Sequence, residues 1–466
     1  MIRLAFLLGM VVATMASAGS ASAQSLVEAL SAAYIGNPVL DRERATLRAT
    51  DERVPQALSG WRPRIDAFGE IGKRTIDDNN RTAIQGNSNL TPEGVGLAVR
   101  QPLFRGGRTF AQTRSAENRV RSGREDLRST EQDILFDAAR AFLDVFRAQA
   151  VLDLRIQNEQ RLTRQLEATR DRFQVGEVTR TDVFQAEARL ADATAQRVAA
   201  EGDLDSARAL YRNVVGETPG DLQRPALPWE IPTSLEETID RALDGDPDLL
   251  AARFAERAAQ DDIDDARGEL LPEINLIGRA ERERETGRQG ARFNTYEALV
   301  RMDLPLYQAG TAYSRLRQTR QTAAAARRNV DSFQRRAVQR ATQAWTDYET
   351  ARAQIVSFTK SVEANTVALE GVQNENLVGA RTVLDVLDAE NELLNSQVGL
   401  VTAQRDEGVA IFELLDATGR LSAAGLDLPV EVYDPGKHYT EVRGKWFGGT
   451  GTGGVTHGSA DPRGAD

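Results

Sequence analysis

Two long stretches of the chain repeat small and apolar residues at alternating steps of four and three. The first stretch does so at Ile134, Ala138, Ala141, Val145, Ala148 and Leu152. The second does so at Ala344, Tyr348, Ala351, Ile355, Phe358 and Val362. This heptad-like period is typical of coiled-coil packing. Because neither 107–176 nor 310–379 contains a proline, the pattern predicts one very long helix in each stretch.

Four shorter segments alternate apolar and polar residues with a period of two, as strands with two different faces do. They are RIDAFGEIG at 64–72, VGLAV at 95–99, EINLIGRA at 273–280 and YEALVRMDL at 296–304. A polar, turn-rich loop from Asp77 to Gly94 joins the first pair. The pattern therefore predicts two β-hairpins, which end at the junctions PLFRGG and PLYQAG because proline removes a ladder donor and glycine frees the backbone.

These elements occur twice in the same order. Capping-box serines at 25 and 234 and prolines at 38 and 247 and at 63 and 272 are each 209 positions apart, and the later glycines at 176 and 379 and at 216 and 419 are 203 apart. The spacing predicts a tandem duplication, with a first repeat over 24–228 and a second over 229–427. Each repeat is expected to hold one opening helix that runs toward Pro63 or Pro272, a β-hairpin, a long helix and a return helix.

The two ends of the chain differ from the repeats. Arg3, an apolar run and the small residues up to Ala23 predict a secretory signal peptide over 1–23, with Ala16-Ser17-Ala18 as an alternative cleavage motif to Ala21-Ser22-Ala23. Residues 428–466 are expected to form a flexible tail that is rich in glycine after Gly444. Its GGTGTGG segment has no strand before it or helix after it and is expected to be linker rather than a phosphate-binding loop.

Composition narrows the function. The chain has no cysteine, so we expect no disulfide, no thiolate chemistry and no lipid attached through cysteine. A net charge of −11 without a basic block disfavours nucleic acid as a partner. Both histidines, His438 and His457, lie in the tail, so the residue types of a metal, cofactor or catalytic site are scarce. We therefore expect no enzyme, no cofactor and no metal site.

The segment LVGARTVLDVLDAEN at 377–391 places Asp385 and Asp388 three residues apart on one helical face, just after a glycine turn. The matching segment of the first repeat, QVGEVTRTDVFQAEA at 174–188, has Asp182 and Gln185 instead. The two acids could be solvated surface charge, a catalytic pair or the lining of an opening. A catalytic pair is disfavoured because neither a nucleophile nor a metal partner lies nearby.

Four strands in one chain are too few to close a barrel, and open sheet edges in lipid would leave backbone groups unpaired. Either several chains pool their strands or the hairpins pack in water. After the signal peptide, no stretch has the about 18 consecutive apolar residues that a transmembrane helix requires. Three chains would supply twelve strands, a number found in outer-membrane barrels.

Three features are most specific: the duplicated layout, the segment LPLYQAG at 304–310 and the segment VGARTVLDVLDAENELLNS at 378–396. In these features the chain resembles the TolC-like outer-membrane efflux and type I secretion channels. The resemblance extends over roughly residues 25 to 425. It implies an α+β membrane protein, a homotrimer whose twelve-stranded outer-membrane β-barrel takes four strands from each chain and continues into a long α-helical coiled-coil tunnel in the periplasm. The family's lipidated members carry an N-terminal cysteine, so this chain is similar to the unlipidated branch.

The resemblance implies a passive exit duct for proteins or small molecules in the outer membrane. Its implied partners are a periplasmic adaptor and an inner-membrane ABC or proton-driven transporter, together with outer-membrane lipid. A periplasmic coiled-coil adaptor that bridges the two membranes is the alternative, which explains the long helices but not the duplicated hairpins.

The resemblance also assigns the site residues. Asp385 and Asp388 match the family's periplasmic constriction, a cation-selective ring. Arg381 matches a closed-state latch to Thr181 and Asp182 on the other hairpin, although a local ion pair with Asp385 is the plainer interpretation. The latch position at Asn376 often holds tyrosine in the family. The tips expected to contact the adaptor are Val175, Gly176, Val378 and Gly379. Trp61, Phe68 and Tyr296 are interpreted either as an aromatic belt or as ordinary core.

Overall fold

The computed structural model describes residues 24–76, 88–220, 222–223, 229–287 and 289–449. The predicted signal peptide and the end of the predicted tail, 450–466, lie outside these residues. The chain divides into two compact units. Unit 1 takes the residues up to 37, 131–238 and 340–431, and unit 2 takes 38–130, 239–339 and the residues from 432 onward.

Groups of helices and groups of strands follow one another in the predicted order. The helices are α1 (Leu26–Gly36), α2 (Pro38–Asp51), α3 (Arg53–Leu58), α4 (Arg108–Gln174), α5 (Arg180–Val215), α6 (Leu235–Gly245), α7 (Pro247–Gly268), α8 (Thr311–Leu377), α9 (Val383–Ala417) and α10 (Lys437–Val442). The strands are β1 (Arg64–Ile71), β2 (Arg74–Ile76), β3 (Ser88–Leu90), β4 (Glu93–Arg105), β5 (Glu273–Arg284) and β6 (Arg292–Asp303).

The two predicted hairpins form one four-stranded sheet in unit 2. The strand order is β1-β4-β5-β6, and every neighbouring pair is antiparallel. The β4–β5 ladder joins the hairpin of the first repeat to that of the second. Strands β1 and β6 are therefore the sheet edges in a single chain, each with one neighbour.

The sheet has one apolar and one polar face, because residues paired across an antiparallel ladder point to the same side. The apolar face is formed by Ile65, Val95, Leu97, Val99, Leu276, Tyr296, Val300 and Met302. The polar face carries Asp66, Glu70, Arg100, Arg279, Glu281, Glu297 and Arg301. The apolar side chains lie open in one chain, with Tyr296 82% and Val300 64% exposed.

Strand β4 ends within the PLFRGG junction, as predicted, at Arg105. It continues past Pro102 because an irregularity between Pro102 and Phe104 shifts the β4–β5 register and lets the ladder resume past the missing N–H. The polar loop predicted over 77–94 was wrong in its bounds, because Ser88–Leu90 is a strand that pairs with Arg74–Ile76. Its residues 77–87 lie outside the described residues.

The single opening helix of each repeat was also predicted wrongly. It is divided into α1, α2 and α3 in the first repeat and into α6 and α7 in the second. The breaks fall before Pro38 and Pro247, because a proline inside a helix removes a hydrogen bond and clashes with the preceding turn. Both prolines instead begin a new helix, where the missing N–H has no cost. The Ser25–Glu28 capping box is confirmed.

The two long helices are confirmed: α4 and α8 have 67 residues each. On the predicted stripe of α4, Ile134, Ala138 and Ala141 are buried. In unit 1, α8 and α9 approach closely, since a Cβ atom at Gly399 would come within 2.5 Å of the Phe358 ring. A side chain at position 399 would therefore require the Phe358 ring to move. No helix among the described residues has an apolar run suited to crossing a membrane.

The part of the predicted flexible tail that the structure describes, 428–449, is instead packed against unit 2 from residue 432 onward. Tyr439 of α10 packs on the apolar cluster of Val54, Ala116 and Val120. His438 Nδ1 lies 3.1 Å from Asp51 Oδ2. Composition misled here because glycine enrichment begins only after these anchoring side chains.

The aromatic residues Trp61, Phe68 and Tyr296 do not form one belt. Tyr296 lies on the apolar face of the sheet, whereas Phe68 pairs with Gly96 on the polar face. Trp61 packs edge-on against Phe110, with ring centroids 4.8 Å apart. Only Tyr296 is placed as a belt residue would be.

Candidate functional site

The predicted site residues lie in unit 1, at the turns that join each long helix to its return helix. In both turns the chain reverses through a glycine with positive φ, 80° at Gly176 and 77° at Gly379. Glu177 N donates to Arg172 O at 2.9 Å, and Ala380 N donates to Glu375 O at 2.9 Å. This is the Schellman pattern of a helix C-terminus. The two predicted tips therefore have the same backbone geometry.

The tips also expose apolar side chains. Val175 is 72% exposed, and Leu377 and Val378 are each 80% exposed. The side chains of Val175 and Val378 are therefore accessible to another molecule. Their contact with an adaptor stays a prediction.

Each return helix begins with a capping box that sequence reasoning missed. Thr382 N and Thr382 Oγ1 both donate to Asp385 Oδ2 at 2.8 Å, and Asp385 N donates to Thr382 Oγ1 at 3.2 Å. Thr179 and Asp182 form the same box at the start of α5. The pattern Thr-x-x-Asp, present in both repeats, was the available signal.

Asp385 is consequently held in place by its own helix. The hydrogen bonds from the Thr382 hydroxyl and backbone lower the pKa of the Asp385 carboxyl, and the nearby charge of Arg381 lowers it further. The carboxylate is therefore ionised and directed before any partner binds.

Asp388 lies one turn further along α9 and is 55% exposed. Arg189 Nη2 of α5 donates to Asp388 Oδ1 at 2.7 Å. This ion pair links the first repeat to the second across 199 positions of chain. Sequence reasoning missed Arg189, because no local pattern signals a contact at that separation.

Arg381 does not contact Thr181 or Asp182 within one chain. Its Nε lies 2.9 Å from Glu375 Oε2, and the Glu375 carboxylate raises the pKa of Arg381, with Asp385 adding to the effect. The predicted latch would need these partners from a neighbouring chain, and it stays a prediction.

Asn376 is buried, unlike the rest of the tip. Its Nδ2 donates to Arg381 O at 2.9 Å, and its Oδ1 accepts from Arg172 Nη1 at 3.4 Å. Asn376 therefore holds the backbone of Arg381 rather than its guanidinium. Arg172 is a second partner that the sequence did not indicate.

Glu390 lies two residues beyond Asp388, on the other side of α9, and is buried, 6% exposed. Its Oε2 has no hydrogen-bond partner among the described residues. Burial raises the pKa of this carboxyl, and the charges of Arg161 and Arg164 oppose the rise. Among the described residues, no group of histidine, cysteine, aspartate and glutamate is arranged to hold a metal ion.

The fold and the tips together define a class of protein: an internally duplicated chain whose long helical hairpins are joined to a small antiparallel sheet with one exposed apolar face. Comparison with known proteins identifies the class. The family model described as outer membrane efflux protein matches residues 29–217 and 238–420. The chain belongs to the outer membrane efflux protein family.

Individual relatives agree with this assignment. The outer membrane efflux protein BepC of Brucella suis is 36% identical over 438 residues, which cover 93% of this chain and 94% of that protein. The outer membrane protein TolC of Escherichia coli is 25% identical over 425 residues, 87% of this chain and 84% of that protein. The crystal structure of the Campylobacter jejuni CmeC outer membrane channel superposes with a TM-score of 0.77 at 17% identity, covering 90% of this chain and 89% of that one.

The predicted fold class, function and location are therefore confirmed. The chain is an outer-membrane channel protein of efflux or secretion, with a helical tunnel on the periplasmic side. The alternative of a periplasmic adaptor is not supported. The family consists of channel proteins.

Proposed function

We propose that the protein is a homotrimeric, passive exit duct, with no catalytic step of its own. The observation that carries this proposal is the sheet of unit 2, whose apolar face is exposed and whose opposite face is charged. A lipid-facing strand has apolar residues outside and polar residues toward a water-filled lumen. Three chains would pair β1 of one with β6 of the next and close twelve strands, leaving no unpaired edge in lipid.

The chain would be organised as two repeats, 24–228 and 229–427, which give each protomer two long helices for the tunnel. Helices α5 and α9 would return along them from the tips. The charged face of the sheet would line the barrel, with Arg100, Arg279, Glu297 and Arg301 toward water. Cargo would then pass through a polar lumen without binding tightly.

The tips would form the closed inner mouth of the tunnel. Asp385 and Asp388 from three chains would place six acids around one aperture, a cation-selective ring. Holding like charges together is unfavourable, and this cost is consistent with a gate. The fixed rotamer of Asp385 and the Arg189–Asp388 ion pair support a defined rather than a mobile arrangement.

Arg381 of one chain would latch onto Thr181 and Asp182 of its neighbour in the closed state. Asn376 would contribute by fixing the Arg381 backbone. In the single chain the Glu375 carboxylate pairs with the guanidinium of Arg381. Closing the gate would therefore exchange Glu375 for Asp182 as the carboxylate partner of Arg381. Opening would then cost little more than one ion pair per chain.

The exposed tips at Val175–Gly176 and Val378–Gly379 would bind a periplasmic adaptor, which connects the duct to an inner-membrane ABC or proton-driven transporter. Two tips of equal backbone geometry offer two equivalent docking positions per chain. Energy would come from the transporter, because the duct has only to open.

Conductance in planar lipid bilayers tests the proposal. We expect Arg381→Ser to raise single-channel conductance and the pair Asp385→Ala with Asp388→Ala to weaken block by multivalent cations. Asp203→Ala, an exposed acid in the second half of α5 and far from the tip, is the control and should change neither quantity. Unchanged conductance and unchanged block in the site variants would refute the gate, and absence of a heat-modifiable trimer from the outer membrane would refute the duct.

A further inference from the structure

The described part of the chain beyond residue 431 lies in unit 2 and forms what we term the C-terminal strap, residues 432–449. Its contacts advance along both partners in the same order: Tyr433 with Arg44, His438 with Asp51, Tyr439 with Val54 and Lys445 with Arg62. The first two of these partners lie on α2 and the third on α3, which leads through Arg62 to β1. The strap therefore runs along α2 and α3 and ends beside the start of the sheet.

Contacts of α10 and the residue that follows it fix the strap on this path. Val442 is buried, 4% exposed. Arg443 Nη2 lies 3.0 Å from Glu117 Oε1 on α4, and Arg443 Nε donates to the Tyr439 hydroxyl at 3.0 Å. The residues that follow are therefore held at a defined position.

The end of the strap presents two aromatic rings and two cations. Arg62 Nη1 donates to Lys445 O at 2.8 Å, and the Arg62 guanidinium lies 5.0 Å from the centroid of the Trp446 ring. Trp446 is 57% exposed and Phe447 is 87% exposed. In the part of the chain that the structure describes, neither Arg62 nor Lys445 pairs with a carboxylate. The strap therefore ends in exposed apolar surface beside uncompensated positive charge.

This end of the strap lies at the periplasmic boundary of the outer membrane. The sheet is joined to the helices at the end where β1 begins and β6 leads toward α8, and the helical tunnel lies on the periplasmic side. The apolar face of the sheet begins with Ile65, which comes three residues after Arg62 and is 65% exposed. Trp446, which lies against Arg62, is therefore next to the place where the lipid-facing surface begins.

We infer that Lys445, Trp446 and Phe447 anchor the strap in phospholipid of the periplasmic leaflet of the outer membrane. The inference rests on the lipid-facing sheet of the proposed duct and does not involve the gate. Tryptophan is favoured at a membrane–water interface, because its ring is apolar and its indole N–H is polar. The Phe447 ring lies among the upper acyl chains, and Lys445 and Arg62 lie at the headgroup phosphates, to which cationic groups donate charge-assisted hydrogen bonds.

A lipid surface fits this patch because both its position and its charge match. The patch continues the apolar face of the sheet at the level where that face begins, and its positive charge is complementary to phosphate. Long basic side chains can also reach from an apolar surface to the headgroup layer. A bound strap would fix the distance of α2 and α4 from the membrane, because the strap is bonded to both helices.

Fluorescence quenching tests the anchor, because the chain has only four tryptophans. Trp61→Phe, Trp229→Phe and Trp345→Phe leave Trp446 as the single emitter in the full-length protein, which is first checked for a heat-stable trimer. The trimer is placed in nanodiscs whose phospholipids carry bromine near either the headgroup end or the methyl end of the acyl chains.

We expect bromine near the headgroup to quench Trp446 about two-fold more than bromine near the methyl end, because an interfacial ring lies at headgroup depth. Absence of quenching by either lipid, or stronger quenching by the deep bromine, would overturn the anchor. A Trp446 that is shielded from aqueous iodide but not quenched by bromine would also overturn it, because a protein or a glycan would then cover the ring.

Two further single-tryptophan proteins serve as controls, and each also carries Trp446→Phe. Val432→Trp places the emitter at the other end of the strap and should not be quenched. Tyr296→Trp places it on the apolar face of β6 and should be quenched by both lipids. Equal quenching at position 432 and at Trp446 would contradict anchoring by the end of the strap.

Reversal of one charge tests the phosphate contact. Lys445→Glu should reduce the quenching of Trp446 by bromine near the headgroup, because a carboxylate is repelled by phosphate, and Lys445→Arg should retain it. Lys437→Glu changes an exposed lysine at the start of α10 and is the matched control, which should have no effect. Equal effects of Lys445→Glu and Lys437→Glu would overturn the phosphate contact.

The outcomes separate this inference from the proposed function. If tryptophan at position 296 is quenched and Trp446 is not, the anchor is wrong and the duct stands. If tryptophan at position 296 is not quenched either, or if the parent protein forms no trimer, the lipid-facing sheet of the proposed duct itself fails.

Discussion

Arg189 and Asp388 are bonded across the two return helices, with Arg189 Nη2 2.7 Å from Asp388 Oδ1. The pair joins α5 of the first repeat to α9 of the second, directly beside the predicted constriction. One of the two acids that would form the ring is therefore partly neutralised within its own chain, whereas Asp385 is held by hydrogen bonds to Thr382.

Removing that partner should strengthen cation binding. Arg189→Gln frees the Asp388 carboxylate, and a unit charge at about 4 Å in water is worth about 1 kcal/mol, so we expect affinity for hexaamminecobalt(III) as a blocker to rise about fivefold. Stability should hardly change, because exposed ion pairs contribute about 0–1 kcal/mol. Block is measured in planar bilayers.

Arg170→Gln is the control for Arg189→Gln. Arg170 forms a comparable exposed pair, with Nη2 2.6 Å from Glu187 Oε1, but it does not contact either acid of the ring. Equal effects of the two substitutions would show that general charge, rather than Asp388, sets the block.

Loss of the α9 capping box should loosen the start of that helix. Thr382→Ala removes the N-cap hydroxyl, which costs about 1 kcal/mol, so amide protection in the first turn of α9 should fall about fivefold. Hydrogen exchange followed by mass spectrometry measures it. Thr366→Ala, which removes only a hydroxyl bonded to its own helix at Val362 O, should leave that turn unchanged.

Lowering the pH should also weaken the capping box at the start of α9. The pKa of Asp385 lies below its ordinary value of 3.8 because it accepts hydrogen bonds from Thr382. The stabilisation is therefore complete above pH 3.8 and is lost as the pH falls through the lower, folded-state pKa. Protection factors of the first turn should drop there in the natural protein and change less in Thr382→Ala; equal responses would contradict the capping role.

Position 379 has room for a side chain, but its backbone conformation is unfavourable for a residue that carries one. No atom lies within 4 Å of a Cβ built there, yet φ is 77°, so Gly379→Ala should cost about 1–2 kcal/mol through backbone strain alone. Gly379→Asn should cost less, because asparagine accepts this conformation more readily. The effect is measured by adaptor binding and by amide hydrogen exchange at the tip.

Gly371→Ala is the matched comparison on the same helix. It lies inside α8 with open space around it and no positive φ, so alanine should stabilise the helix by about 0.5–1 kcal/mol. If both alanine variants shift stability in the same direction, the left-handed turn is not what selects glycine at 379.

The contribution of His438 to the stability of unit 2 should be largest near neutral pH. Burial raises the pKa of Asp51, and the hydrogen bond and charge of His438 oppose that rise. A carboxyl with a raised folded-state pKa adds stability below its unfolded pKa and loses it as the pH rises through the folded value. His438→Ala should therefore destabilise unit 2 by about 1–3 kcal/mol near neutral pH, and by less in acid.

Thermal unfolding in detergent at a series of pH values from acid to neutral checks this expectation, because the pKa of Asp51 is raised. His457→Ala, the chain's other histidine, is the control and should have the same unfolding midpoint as the natural protein at every pH. A destabilisation of His438→Ala that does not depend on pH would mean that the residue acts by packing alone.

Neighbouring residues of β6 should respond oppositely to the same substitution. Val300 lies on the apolar face and Leu299 on the polar face of the sheet. Arginine facing lipid costs up to about 2–4 kcal/mol, so Val300→Arg should reduce the yield of heat-stable trimer in the outer membrane, whereas Leu299→Arg should assemble and alter conductance. Normal assembly of Val300→Arg would contradict a lipid-facing apolar side.

Local patterns in the sequence determined the elements. The period-two segments predicted the strands, the four-and-three spacing predicted α4 and α8, and the matching prolines and glycines predicted that everything occurs twice. Each depends on residues within a few turns of one another, where period and backbone preference dominate. The opening helices were misjudged because the breaks at Pro38 and Pro247 were not given their full weight, and the further break at Glu52, between α2 and α3, has no proline to signal it.

Tertiary structure alone decided which distant residues meet. Three contacts join positions far apart in the chain: the Arg189–Asp388 pair, the His438–Asp51 pair that anchors the C-terminal segment, and the Arg114–Asp261 pair between α4 and α7. Such contacts depend on how whole helices pack, so no local spacing encodes them. The sequence by itself therefore determined the architecture and the place of Asp385, Asp388 and Arg381 at a tip; packing decided what each of them touches.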